Sequence, residues 1–370
     1  MTAPIDLSLT RRSLLAGAAA AAASPFLHRL DAAAQSALEL RVSHILNHMS
    51  LHDKIGQLFM VSVIGNGMSE WQEVHLKEIK PGGILFETPN IGPADTVRPF
   101  TDAIHGTNRA LPPLIAIDQE GGPVTRLAGD PSPGAAVLGQ DSDTIVRRLA
   151  RERAHFLGGY GFDINFAPVA DIAYNASSYM IGRSFGNDPR VVAEKVAAVV
   201  SGSRKGRMAG AAKHFPGHGR AVEDSHFTMP VIDISRKDWL KTDALPFKSA
   251  IKQKVEMVML GHLLLPQWDD VPASLSKVAI DILRTDLGYN GVVITDDLGM
   301  GALATMDSFD ILDKAVAAGV DVFLWENARV PHADLVKHLQ HRVEKGKVSE
   351  KRINASVRRM LRLKVQHFSL

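Results

Sequence analysis

The sequence predicts an α/β fold, a single-domain (β/α)8 TIM barrel, on three observations. Short apolar runs alternate with longer helical patterns eight times. The runs are continuously apolar, as parallel strands buried on both faces are, rather than alternating like half-exposed ones. Polar residues collect at the ends of the runs and not at their starts, and in barrels the chemistry gathers at the strand C-termini.

In chain order, the expected strands are 58–63, 83–86, 114–117, 162–166, 210–214, 257–261, 292–295 and 320–325. Between and after them, residues 71–79, 94–110, 142–160, 189–205, 237–253, 277–287, 309–318 and 332–345 carry helical periodicity. Eight such units in a chain of 370 residues suit a barrel. A doubly wound open sheet is the alternative, but Ile64-Gly65-Asn66-Gly67 is a poor match to its glycine-rich phosphate fingerprint. Residues 350–365 form a basic amphipathic helix, with Ile353, Val357, Met360, Leu361 and Leu363 on one face, that suits a cap on the barrel.

The first 34 residues stand apart. Arg11-Arg12 precede a nearly pure alanine stretch, and Ala32-Ala33-Ala34 offers a small-residue cleavage site before Gln35. This is the pattern of a twin-arginine export signal, so residues 1–34 are expected to be removed, 38–370 to form the barrel, and the protein to be exported to the periplasm. The signal takes three arginines and two aspartates from totals of 42 basic and 40 acidic residues. The remainder is near neutrality, with no basic stripe for nucleic acid. There is no cysteine, which excludes disulfides, thiolate metal sites and a cysteine nucleophile. No apolar run suits a membrane span. Oligomeric state is not legible.

The chemistry-bearing residues sit at strand ends. Asp118 ends the third strand, Lys213-His214 the fifth, His262 the sixth, Asp296 the seventh and Glu326-Asn327 the eighth. Asp296 could be a nucleophile, a base, a metal ligand or a helix cap; rigid emergence from a strand favours the nucleophile, while capping remains open for Asp297. His226, two residues after Asp224, is a candidate general acid/base whose partner would fix its tautomer. Lys213 needs an acid such as Asp118 if it is buried. Arg126 and Arg183 could bind a substrate's paired oxygens, or serve as partners of Asp171 or Glu120. His214, His218 and His226 raise the idea of a metal site, but Pro216 and Gly217 deny the helix that makes His-x-x-x-His a zinc motif. No metal or cofactor is expected.

Lys213–Gly219 with Asp224-Ser225-His226, together with the segments 117–122 and 295–300, closely resembles glycoside hydrolase family 3, and specifically its single-domain β-N-acetylhexosaminidases. The likeness runs from about residue 45 to 330. It implies a bare barrel in which Asp296 is the nucleophile and His226 the acid/base in a dyad with Asp224. It also implies that Asp118, Arg126, Arg183, Lys213 and His214 bind the terminal sugar. Larger family members draw a glutamate acid/base from a second domain; here a loop histidine must do that work. Pro123 departs from the family, which often has arginine after the glycine pair, and this bears on the wall near Arg126. The implied activity is removal of terminal β-linked N-acetylglucosamine from peptidoglycan fragments or chitooligosaccharides through a glycosyl-aspartate. The alternatives are a β-glucosidase or β-xylosidase, a phosphorylase using phosphate in place of water, or a sugar-binding protein without catalysis. The implied partner is a small carbohydrate.

Overall fold

The computed structural model describes residues 34–368; the expected signal peptide lies outside them, apart from its last residue. Eight parallel strands are present: β1 (Phe59–Ser62), β2 (Gly83–Phe86), β3 (Leu114–Ile117), β4 (Ile164–Asn165), β5 (Ala209–Phe215), β6 (Met257–Leu260), β7 (Val292–Thr295) and β8 (Phe323–Trp325). Their order is β7-β6-β5-β4-β3-β2-β1-β8. A parallel bridge between Ile294 and Val322 joins the two outer strands, and the Thr295 N–H donates to the Val322 carbonyl at 3.1 Å. The sheet therefore closes, which removes its edges and excludes the open doubly wound alternative.

The unbroken apolar runs follow from this closure. Along β2, Ile84 and Phe86 join the core between strands and helices. Leu85 joins a separate buried cluster with Met60, Leu114, Ile164, Met257 and Ile294, the barrel interior. A strand with apolar neighbours on both faces has no use for alternation.

Most expected helices form close to their predicted bounds, as Glu70–Ile79, Ala94–Gly106, Asp143–Gly159, Pro189–Lys205, Ser308–Ala318 and His332–Glu344. Their ends carry local signals. Ser69 and Gln72 make a reciprocal capping box, and Asp188 caps a helix that opens on Pro189. Two expectations fail in detail. The helix expected at 237–253 is split into Arg236–Trp239 and Ala244–Lys252: Pro246 fits only the first turn of a helix, and the buried Asp243 between the two accepts from Arg220 Nε at 2.9 Å. The helix expected at 277–287 passes from Lys277–Asp281 into a π-turn at Ile282–Asp286. Arg284 there reaches the carbonyls of Tyr289 and Gly291 and the Asp321 carboxylate. The last helix runs Glu350–Phe368. It inserts Met360 and Leu363 into the barrel-interior cluster from the strand-start end, so the site opens only at the opposite rim.

Candidate active site

At the strand C-termini lies a cavity of about 440 Å3, within the range of about 300–1,000 Å3 usual for small-molecule sites. Asp118, Arg126, Arg183, Lys213, His214, His226 and Asp296 all line it. Asp224 stands behind His226, outside the cavity wall.

Asp296 leaves β7 with its N–H donating to the Leu260 carbonyl at 2.8 Å, so the β6–β7 ladder fixes its backbone. One carboxylate oxygen accepts the Asp297 N–H at 2.9 Å. Burial opposes its ionisation, but His214, His262, Lys213 and the Asp297 N–H outweigh it and hold the carboxyl below its ordinary value. Asp296 is thus an anion at neutral pH. Asp297 does different work. Its Oδ1 accepts the N–H groups of Gly299 at 3.0 Å and Glu326 at 2.8 Å, tying the loop after β7 to the end of β8. Beneath both, the buried His262 bonds to Ser274 Oγ at 2.7 Å and to the Asp297 carbonyl at 2.8 Å.

His226 rides a loop after β5. The Asp224 carboxylate accepts from its Nδ1 at 2.6 Å and from its main-chain N–H at 3.0 Å, leaving Nε2 for chemistry. The loop is docked by its backbone. Gly301 and Ala302, just beyond Asp296, donate to the carbonyls of His226 at 3.0 Å and Ser225 at 3.2 Å. Gly301 is required for this approach, since a Cβ there would lie 2.5 Å from the His226 carbonyl oxygen and 2.8 Å from the Phe227 Cα. The expected acid/base and nucleophile therefore belong to two loops stitched together main chain to main chain.

The opposite wall is ionic. Lys213 is buried between Asp118 and Glu120, with Nζ 2.7 Å from the Glu120 carboxylate, and it pairs with Asp118 as its burial demands. Arg183 grips both oxygens of Glu120, at 2.9 and 2.7 Å. Burial works against all these charges. Even so, the carboxylates hold Lys213 above its ordinary value, and Lys213 and Arg183 hold Glu120 far below its own. His214 Nδ1 donates to the fully buried Asp171 at 2.7 Å, and the other oxygen of Asp171 accepts the His218 N–H at 2.6 Å. Of the two partners open to the arginines in the sequence, Arg183 takes Glu120, whereas Asp171 serves the histidines.

Arg126 sits on the turn that Gly121 makes possible with φ of 83°. The Gln119 side-chain oxygen accepts the N–H groups of both Arg126 and Leu127 at 2.9 Å, fixing the turn despite Pro123. The guanidinium of Arg126 pairs with Glu87 at 2.8 Å. Glu326, expected at the end of the eighth strand, also lines the cavity, as do Glu87 and Tyr179, neither of them named among the expected site residues. Glu87 directly follows β2, so the strand-end rule identifies it. Tyr179 lies in a long aperiodic loop and gives no such signal. Burial, with Glu87, Asp297 and Asp118 nearby, pushes the Glu326 carboxyl up to about 7. Carboxylates outnumber cations along the cavity wall, and Lys213, Arg126 and Arg183 are each already paired. Among the described residues no group of three or more His, Cys, Asp or Glu side chains is arranged to hold a metal ion, and no helix is long and apolar enough to cross a membrane.

Residues 50–363 match the family described as Glycosyl hydrolase family 3 N terminal domain. A β-hexosaminidase of Bordetella avium is 36% identical over 292 residues, covering 76% of this chain and 83% of the relative. The β-hexosaminidase LpqI of Mycobacterium tuberculosis is 34% identical over 336 residues, 85% of this chain and 83% of that one. Among solved structures, a glycoside hydrolase family 3 β-N-acetylglucosaminidase from Paenibacillus sp. superposes with a TM-score of 0.83 at 34% identity. That match covers 86% of this chain, which spans only 63% of the Paenibacillus protein.

Proposed function

The chain belongs to glycosyl hydrolase family 3, and from that premise we propose that it is a retaining exo-β-N-acetylhexosaminidase that releases terminal β-linked N-acetylglucosamine. One observation carries the reading: the backbone docking of the His226 loop on Gly301-Ala302, which supports an imidazole and an ionised Asp296 acting on one sugar.

In the proposed first step an Asp296 oxygen bonds to the anomeric carbon as its bond to the glycosidic oxygen breaks, and His226 Nε2–H gives its proton to that oxygen. Asp224 steadies the imidazolium through Nδ1. In the second step neutral His226 takes a proton from water, the hydroxide bonds to the anomeric carbon, and Asp296 departs as carboxylate. Asp118, Lys213, Arg183, His214 and Arg126 are the proposed sugar-binding residues, their side chains held by the pairs described above rather than by the ligand.

Mass spectrometry after incubation with a mechanism-based fluorosugar tests the scheme. An adduct on the peptide containing Asp296 is expected, and turnover without any adduct overturns the covalent route. Water is favoured over phosphate as acceptor because the cavity's cations are committed and its carboxylates are in excess, which repels an anion. Turnover that depends on added phosphate would reverse that preference. Nitrophenyl glycosides of N-acetylglucosamine, glucose and xylose discriminate the β-glucosidase and β-xylosidase readings. Muropeptides and chitooligosaccharides are the proposed natural substrates, with export directed by Arg11-Arg12. Replacing both arginines by lysine should retain the enzyme in the cytoplasm.

A further inference from the structure

His226 does not stand alone at the mouth of the cavity. Tyr179 lines the cavity, and its ring meets the His226 imidazole nearly edge-on, with centroids 5.8 Å apart and planes at 73°. The Arg183 guanidinium lies over the Tyr179 ring, 4.8 Å from its centroid, and is itself locked to Glu120. The tyrosine is therefore held by a fixed cation rather than free to swing. Phe227, the next residue after His226, has its ring 6.5 Å from the imidazole. It is 77% exposed, the most exposed of the large apolar side chains among the described residues. Its backbone is nonetheless fixed, because its Cα packs against Gly301, which lines the cavity. A large aromatic side chain held on a rigid backbone in water, beside the active-site mouth, has no role in the core.

We propose that Tyr179 and Phe227 flank a subsite for the sugar ring carried by the leaving oxygen. This inference rests on the reading of His226 as the group that protonates that oxygen. If His226 donates to it from Nε2, the departing ring must lie beside the imidazole, and apart from Asp224 on the Nδ1 side the side chains next to that ring are the aromatic Tyr179 and Phe227. The occupant is the second pyranose of a β-linked disaccharide unit. Its C–H face is apolar and its edge carries hydroxyls, so it stacks on an aromatic face while its polar edge stays in water. The subsite selects for a ring of that shape in the leaving group, and the ionic wall around Lys213 and Arg183 selects for the sugar that is released.

The test measures calorimetric affinity in the Asp296→Asn enzyme, where turnover does not consume the ligand. N,N′-diacetylchitobiose is compared with N-acetylglucosamine, and the pair is repeated with Phe227→Ala and with Tyr179→Ala added. The disaccharide is expected to bind at least tenfold more tightly than the single sugar, with each added substitution cutting that margin threefold or more. Phe227 is exposed, so its replacement leaves the fold intact and keeps the measurement interpretable. A disaccharide that binds no better than the monosaccharide overturns the subsite, as does a margin that survives both substitutions. An enzyme that forms the Asp296 adduct but shows no margin refutes this inference alone. One that binds neither sugar refutes the hexosaminidase reading and this inference with it.

Discussion

Replacing Gly301 by alanine tests the docking of the two catalytic loops at one atom. The new Cβ would lie 2.5 Å from the His226 carbonyl oxygen and 2.8 Å from both the Cα and the carbonyl oxygen of Phe227. All three are backbone atoms that no rotamer change can move aside. An ordinary contact begins near 3.4 Å, so the His226 carbonyl must retreat by about 0.9 Å, a displacement of the order that costs about 10²-fold in rate when it separates reacting groups. The retreat also stretches the Gly301 to His226 hydrogen bond, now 3.0 Å, for a stability loss of about 1 kcal/mol. Asp296 precedes the altered residue and keeps its own bond to Leu260. Values of kcat/KM, which report the glycosylation step, on chitobiose and on the p-nitrophenyl glycoside separate the two groups, because nitrophenolate leaves without a proton and the sugar released from chitobiose does not. A drop of about 10²-fold in kcat/KM on chitobiose with a much smaller one on the nitrophenyl substrate is expected. If kcat/KM on chitobiose stays within threefold of the parent, or falls equally on both substrates in a folded enzyme, the docking argument is wrong.

Other outcomes follow from the same geometry. His226→Gln should lower kcat/KM, which reports the glycosylation step alone, by about 10²–10⁴-fold on chitobiose and far less on the nitrophenyl glycoside; equal losses in kcat/KM would remove His226 as the proton donor. Arg183→Ala leaves Lys213 as the only cation in a direct ion pair with the Glu120 carboxylate among the described residues and should cost about 3 kcal/mol in urea unfolding, whereas a loss below about 1 kcal/mol would mean the pair is not holding the wall. Glu326 is raised to about 7 in the fold from an unfolded value of about 4.3, so the native state holds its proton more tightly. Its ionisation costs nothing below the unfolded value and its full penalty once pH has risen through 7. Glu326→Gln should therefore be more stable than the parent at pH 8.5, by about 1–2 kcal/mol after allowing for partial exposure, and equal to it near pH 4. Melting curves across that range check this, and a gap that widens toward acid pH would reverse the assignment.

The strands and the rim were legible because burial on both faces writes an unbroken apolar run, and a strand's exit is where polarity returns. Lys213, His214 and Asp296 were accessible to that logic, and so was Glu87, which obeys the rule as plainly as Asp118. Tyr179 was not, since its place beside His226 depends on a salt bridge from Arg183 to Glu120, 63 residues apart. The split near Asp243 was partly legible. Pro246 has no N–H to continue a helix from Thr242 and suits only a first turn, whereas the bonds from Arg220 and Thr242 to Asp243 could not be read in advance. β4 is only two residues long, although main-chain bonds from Asp163 to Ile115 and from Phe166 to Ile117 continue on either side of it. Asn165 exchanges bonds with the main chain of Gln119, its Oδ1 accepting at 3.0 Å and its Nδ2 donating at 2.9 Å.

The helix Glu350–Phe368 that floors the barrel is the last described element of the chain, and it bears on how the protein is made. Met360 and Leu363 fill the space beneath strands that leave the ribosome long before them. The nascent barrel therefore has an open underside, with interior side chains reachable by water, until residues 350–368 have been made. Ribosome-stalled chains ending before residue 350 should be cut readily by protease within the barrel, and chains that include the helix Glu350–Phe368 should resist.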